Sequence, residues 1–106
     1  MKIAFGVDPG GLELRAGVLE HLRAMGHEVV EVGTTDQENV VPYMIVGRNV
    51  AEKVTGGECD RGVVMCGTGM GISIATNKNK GARCALCESW YAARESRIVN
   101  DANIIA

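Results

Sequence analysis

The sequence has few aromatic residues, no excess of charge of either sign and no long apolar run, and each shortage closes off a class of function. Aromatic side chains make up 4% of the 106 residues, too few for a platform on which nucleic-acid bases stack. The formal charge is -2, and Lys and Arg are scattered rather than clustered, so no nucleic-acid surface is expected. The apolar runs have the length of short strands, so a membrane-spanning helix is not expected. Met1-Lys2 runs straight into a strand pattern without a signal peptide, which makes the cytoplasm the expected compartment. No repeat, low-complexity tract or linker interrupts the chain, and residues 1–106 are read as one domain. A hydrophobic fraction of 46% is ordinary for a globular protein with a core.

Cysteine is present but poorly spaced for metal. Cys84 and Cys87 fall in an apolar run read as a strand, where residues three apart point to opposite faces. The seven-residue step from Cys59 to Cys66 offers no second ligand pair for structural zinc. Reduced thiols are expected, with neither metal nor cofactor.

The most informative stretch is Arg61 to Asn77, RGVVMCGTGMGISIATN. Val63-Val64-Met65 is an apolar run of the kind a buried parallel strand shows. Cys66 ends it, and alternate glycines follow at Gly67, Gly69 and Gly71. Ile72, Ile74 and Ala75 then recur at helical spacing, which sets the glycines between a strand and a helix. A doubly wound sheet holds its ligand at that junction. Glycines let backbone N–H groups approach an anion or a developing oxyanion, and the helix dipole favours negative charge there. The same field favours a thiolate at Cys66. As a purely structural feature, the same stretch would be a strand-end cysteine and a tight turn.

From the start of the chain, Lys2 to Val7 reads as a strand with Asp8-Pro9-Gly10-Gly11 as its exit loop. Leu12 to Met25 carries apolar residues at helical spacing and stops at Gly26. Glu28 to Val32 is a second strand, and a polar loop leads to Pro42 in the first turn of a helix reaching about Val54. The third strand ends at Cys66, and Gly81 is expected to break the helix that follows. Ala82 to Cys87 reads as a fourth strand, Ser89 to about Val99 as a helix, and Ala102 to Ala106 as a fifth strand. Strand and helix alternate throughout, which predicts an α/β fold: a Rossmann-like three-layer α/β/α sandwich on a five-stranded parallel sheet. Asp8 and the Cys66 turn then share the carboxyl rim of the sheet. Asn100-Asp101 falls at the amino end of its strand, where topology alone makes it a helix end and a turn. His21 and His27 read as surface and turn residues.

Gly-x-Asp after the first strand, CGTGMGISIATNKNKGARCALC in the middle and SRIVNDAN near the end together resemble the ribose-5-phosphate isomerase B family, which includes the two galactose-6-phosphate isomerase subunits. The resemblance covers nearly the whole chain. It implies isomerisation of a sugar phosphate between aldose and ketose through a cis-enediolate, without a cofactor. Cys66 would be the base moving the proton, and Thr68 would add its hydroxyl to a cradle formed by the backbone of Gly67, Thr68, Gly69, Met70 and Gly71. Asp8 and Asn100 would bind sugar hydroxyls, with Pro9 and Tyr43 also at the substrate site. The resemblance further implies a homodimer or higher oligomer with composite sites. Chemically, abstracting a carbon-bound proton needs a base and a preorganised oxyanion site, and this stretch offers both.

Several positions depart from the family pattern. Pro9 stands where a phosphate-binding histidine is usual, and Val99 where a ring-opening histidine is usual. Of the family's Asp-Tyr-Pro loop only Tyr43 remains, within Pro42-Tyr43-Met44. The family continues past the fifth strand with helices whose arginines bind phosphate in a neighbouring subunit, and a chain closing at Ala106 is expected to lack them. Ile104 and Ile105 are then expected to leave an apolar face uncovered. An open-chain substrate such as a tetrulose phosphate would need no ring-opening group. The alternatives are a cysteine-bearing subunit of a hetero-oligomeric isomerase and a non-catalytic sugar- or phosphate-binding homologue. A dinucleotide site fits poorly, because Ile72 occupies the last glycine position of G-x-G-x-x-G and only Glu88 speaks for it.

Overall fold

The structure is a computed structural model that describes residues 1–106. Five strands form one sheet in the order β2-β1-β3-β5-β4, every adjacent pair parallel. The strands are β1 (Lys2–Val7), β2 (Glu28–Glu31), β3 (Arg61–Met65), β4 (Cys84–Ala85) and β5 (Ile104–Ile105). Between them run α1 (Leu12–Ala24), α2 (Tyr43–Thr55), α3 (Met70–Asn77) and α4 (Trp90–Asn100). The sheet steps outward from β1 to β2, returns to β3, jumps to β4 and comes back to seat β5 in the gap. β1 is buried along almost its whole length, as an apolar strand inside a parallel sheet must be.

The two faces of the sheet are covered differently. On one, α2 and α3 enclose Ala4, Val46, Val50, Val64, Ile72 and Ile104 in the main core cluster. On the other, only Phe5, Val7 and Leu19 form a buried cluster beneath α1. Between α1 and α4 that face carries an open groove of about 470 Å³, lined by Leu22, Met25, Val63, Ala93 and Ile105 among others. The fold agrees with the expected sandwich, but several details differ. β4 and β5 are two residues long rather than six and five, because they pair with each other only over Cys84–Ile104 and Ala85–Ile105. Pro42 stands just before α2 as its N-cap rather than in its first turn. α3 stops at Asn77, four residues before Gly81, where Asn79 donates from Nδ2 to the carbonyls of Ala75 and Thr76. Ile104 is not on an uncovered face. It is 1% exposed and belongs to the α2–α3 core cluster, while its neighbour Ile105, which points the other way, stays partly exposed beside the groove.

Asn100 is the last residue of α4, and Asp101 closes it in the left-handed region at φ 52°. The Asp101 carboxylate is held by Arg83 at 3.2 Å and Arg97 at 3.0 Å, which ties the helix end to the start of β4. No helix is long and apolar enough to cross a membrane.

Candidate active site

β1 and β3 end side by side, and their exit loops meet. The Asp8 amide donates to the Met65 carbonyl at 3.0 Å, continuing the ladder one step past the strands. The Asp8 carboxylate then caps the short 3-10 turn Pro9–Gly11 by accepting from the Gly11 amide at 3.1 Å. Gly10 comes so close to the neighbouring loop that a β-carbon there would stand 2.7 Å from the Gly67 nitrogen. A side chain at that position would force the two loops apart. Asp8, Pro9 and Gly67 are therefore brought together.

The turn from β3 into α3 is the centre of the site. Gly69 sits at φ 81°, a conformation that costs other residues strain, and this aims its amide back at the strand end. That N–H donates to Cys66 Sγ at 3.1 Å. Thr68 Oγ1 accepts from the Met70 amide at 3.2 Å, capping the first turn of α3. The amides of Gly67, Thr68, Gly71 and Ile72 have no acceptor within the protein. A thiol that accepts one hydrogen bond thus stands next to four unused donors in the turn and at the positive end of the helix that follows. Tyr43, first residue of α2, lays its ring over Gly71, with Cε2 3.1 Å from where a β-carbon would stand.

Of the four cysteines, Cys66 alone has this environment. Burial pushes the Cys84 thiol up to about 12, helped by Cys87 beside it. Burial likewise raises Cys59, which belongs to the main core cluster. Cys87 lies with Cys66, Thr68, Leu86 and Glu88 around a cavity of about 210 Å³ at the carboxyl rim.

Asn100 is not brought to this site. β5 pairs with β3 at Gly62, four residues before Cys66, and Asn100 lies four residues before Ile104. At about 3.3 Å per strand residue, that sets Asn100 more than about 13 Å from Cys66, at the opposite end of the sheet. Val99 is 69% exposed on the same turn of α4. Two contributors escaped the sequence reading. The Ile72 amide follows from counting the free donors of a helix that starts at Met70. Gly10 was signalled only by the Gly10-Gly11 pair, since its role is an approach between loops distant in sequence.

An open parallel sheet with a cysteine and a glycine turn at its carboxyl edge defines an α/β protein built to hold a small anionic ligand. Within that class, the chain belongs to the Ribose/Galactose Isomerase family, whose profile matches residues 3–106. It is 41% identical over 105 residues to a protein of Clostridium sp. (strain MSTE9) named 4-deoxy-4-sulfo-D-erythrose isomerase, covering 99% of this chain and 66% of that one. It is 45% identical over 105 residues to ribose-5-phosphate isomerase B of Escherichia coli (strain K12), covering 99% and 70%. Ribose-5-phosphate isomerase B from Clostridium thermocellum matches in structure with a TM-score of 0.95 at 52% identity, over 100% of this chain and 71% of that one. The chain spans about two thirds of the length of these relatives.

Proposed function

We propose that the chain carries the catalytic half-site of an aldose–ketose isomerase for sugar phosphates, working through a cis-enediolate. The observation that carries this reading is the Gly69 amide on Cys66 Sγ at 3.1 Å, beside the unused amides of Gly67, Thr68, Gly71 and Ile72. As thiolate, Cys66 removes the proton from the carbon next to the carbonyl and returns it to the former carbonyl carbon, while the hydroxyl proton passes from one enediolate oxygen to the other. The oxygen charge that develops between the two steps is met by amides already oriented toward it. The Asp8 oxygen not engaged with Gly11 accepts from a substrate hydroxyl, and Tyr43 closes the far side. No cofactor takes part.

Asn100 serves the site of a second copy, because it lies too far from its own Cys66. The functional unit in this reading is a cytoplasmic homodimer or higher oligomer with composite sites. Val99 has no proton to give a ring oxygen, so the substrate is one that stays open-chain, such as a tetrulose phosphate. A relative named for a four-carbon sulfo-sugar supports a short substrate.

The test is turnover of aldose and ketose phosphates by the 106-residue chain and by Cys66→Ser. The variant is expected to keep its fold and lose both isomerisation and solvent-deuterium incorporation at the substrate carbon, by at least about a hundredfold. Unchanged activity in Cys66→Ser removes the mechanism. Val99→His is expected to raise activity on a cyclic pentose phosphate relative to a linear tetrulose phosphate, and rapid turnover of ribose 5-phosphate by the unmodified protein contradicts the open-chain assignment.

A further inference from the structure

The glycine at position 69 explains how the turn can adopt its shape but not why it keeps it. Glycine moves between left- and right-handed regions at little cost, so the φ of 81° must be held by neighbours. Two hydrogen bonds act on this residue: its amide on Cys66 Sγ, and its carbonyl accepting from the Ser73 amide at 3.0 Å. Both break if the turn relaxes, so neither is an independent restraint. The third neighbour is Leu86. Its Cδ1 occupies the space where a β-carbon of Gly69 would stand, so the leucine presses directly on the glycine.

Leu86 is well placed to bear on something. It lies just past β4, and the backbone is tied to β5 on both sides of it. The Ala106 amide donates to the Ala85 carbonyl at 2.9 Å, and the Cys87 amide donates to the Ala106 carbonyl at 3.0 Å. The Leu86 side chain also lines the cavity that Cys66 and Thr68 share. We infer that Leu86 is a positioning residue for the candidate base: it wedges Gly69 in the one conformation that delivers an amide to the Cys66 sulfur. It touches no substrate atom in this role and acts only through Gly69. The inference rests on the reading of Cys66 as the base, but the wedge itself is testable without any substrate.

The experiment is hydrogen exchange of the intact protein read by NMR at the Gly69 amide, whose bond to Cys66 Sγ the wedge is inferred to hold. Truncating Leu86 frees the turn, so Leu86→Ala is expected to speed exchange of that amide about threefold relative to the neighbouring Ser73 amide. Leu86→Met, similar in volume, is expected to restore the original rate. Leu86→Val is expected to fall between, and it carries the test if the alanine variant does not fold. A merely structural leucine would lower the melting temperature and change Gly69 no more than Ser73, and that result in folded Leu86→Ala or Leu86→Val overturns the wedge. A Gly69 amide freed in a protein with no isomerase activity sinks the functional reading and spares the wedge. An active isomerase whose Gly69 exchange ignores Leu86 does the reverse.

Discussion

The two faces of the sheet differ in how they are held, and the candidate site draws on the difference. The α2–α3 face is dense: Val46, Val50, Val64 and Ile72 are fully buried against one another, and Cys66 packs against the edge of that cluster. The α1–α4 face is sparse, with one small cluster under α1, an open groove and an α4 whose sole buried residue is Ser96. In the proposed mechanism, a base that must be presented to a carbon atom within a fraction of an ångström benefits from the densely packed side. An element that meets a partner benefits from the other, where Ile98 and Val99 are 63% and 69% exposed at the end of α4. The contrast is between a face packed densely up to the Cys66 turn and a face with surface to spare.

Adjacent residues of one strand give the strongest way to break that comparison. Ile104 faces the dense core and Ile105 the groove, so Ile104→Ala is expected to cost about 3 kcal/mol of folding stability. Ile105→Ala is expected to cost about 1 kcal/mol, since its side chain is only partly buried. Equal shifts in urea midpoint for the two variants would mean that the faces are equally well packed. A pH titration sharpens the same point at Cys84, whose side chain also packs against the dense cluster. Burial lifts its thiol from an ordinary 9.0 to about 12. Below pH 9.0 both folded and unfolded chains keep the proton, and between there and about 12 only the unfolded chain gives it up. Stability is therefore fully present below that window and falls as pH rises through it. Cys84→Ala is expected to show a shallower decline between pH 9 and 11 than the unmodified protein, read from the same urea curves. The smallest effect belongs to Ile98→Ala on the sparse side, where a change within about 0.5 kcal/mol is expected.

The sheet, its layers and the position of the Cys66 turn were legible because they depend on local signals: apolar runs, helical spacing and glycines between them. The meeting of Asp8 with that turn was legible from topology, since both lie at carboxyl ends of strands. The length of β4 was not. ARCALC is apolar enough for six strand residues, yet a strand extends only as far as its partner, and β5 pairs over two. Nor was the end of α3, where Asn79 closes the helix before Gly81 is reached. Leu86 read as one more apolar strand residue, because its contact with Gly69 joins positions 17 apart. The direction of Ile104 was misread for a related reason: which face of β5 is covered depends on α2, made some fifty residues earlier.

The strand order has a consequence for how the protein comes into being. β5 is fifth in the chain but fourth across the sheet, lying between β3 and β4. As the chain leaves the ribosome, β1, β2 and β3 have their partners as soon as Met65 is made. β4 has none, and it must wait through the whole of α4 for Ile104 and Ile105 to slot in beside it. Until β5 is made, the backbone on either side of Leu86 lacks the two hydrogen bonds with Ala106 that hold it beside the Cys66 turn. Assembly order in this fold therefore completes the β1–β3 half of the sheet before the half that carries Leu86.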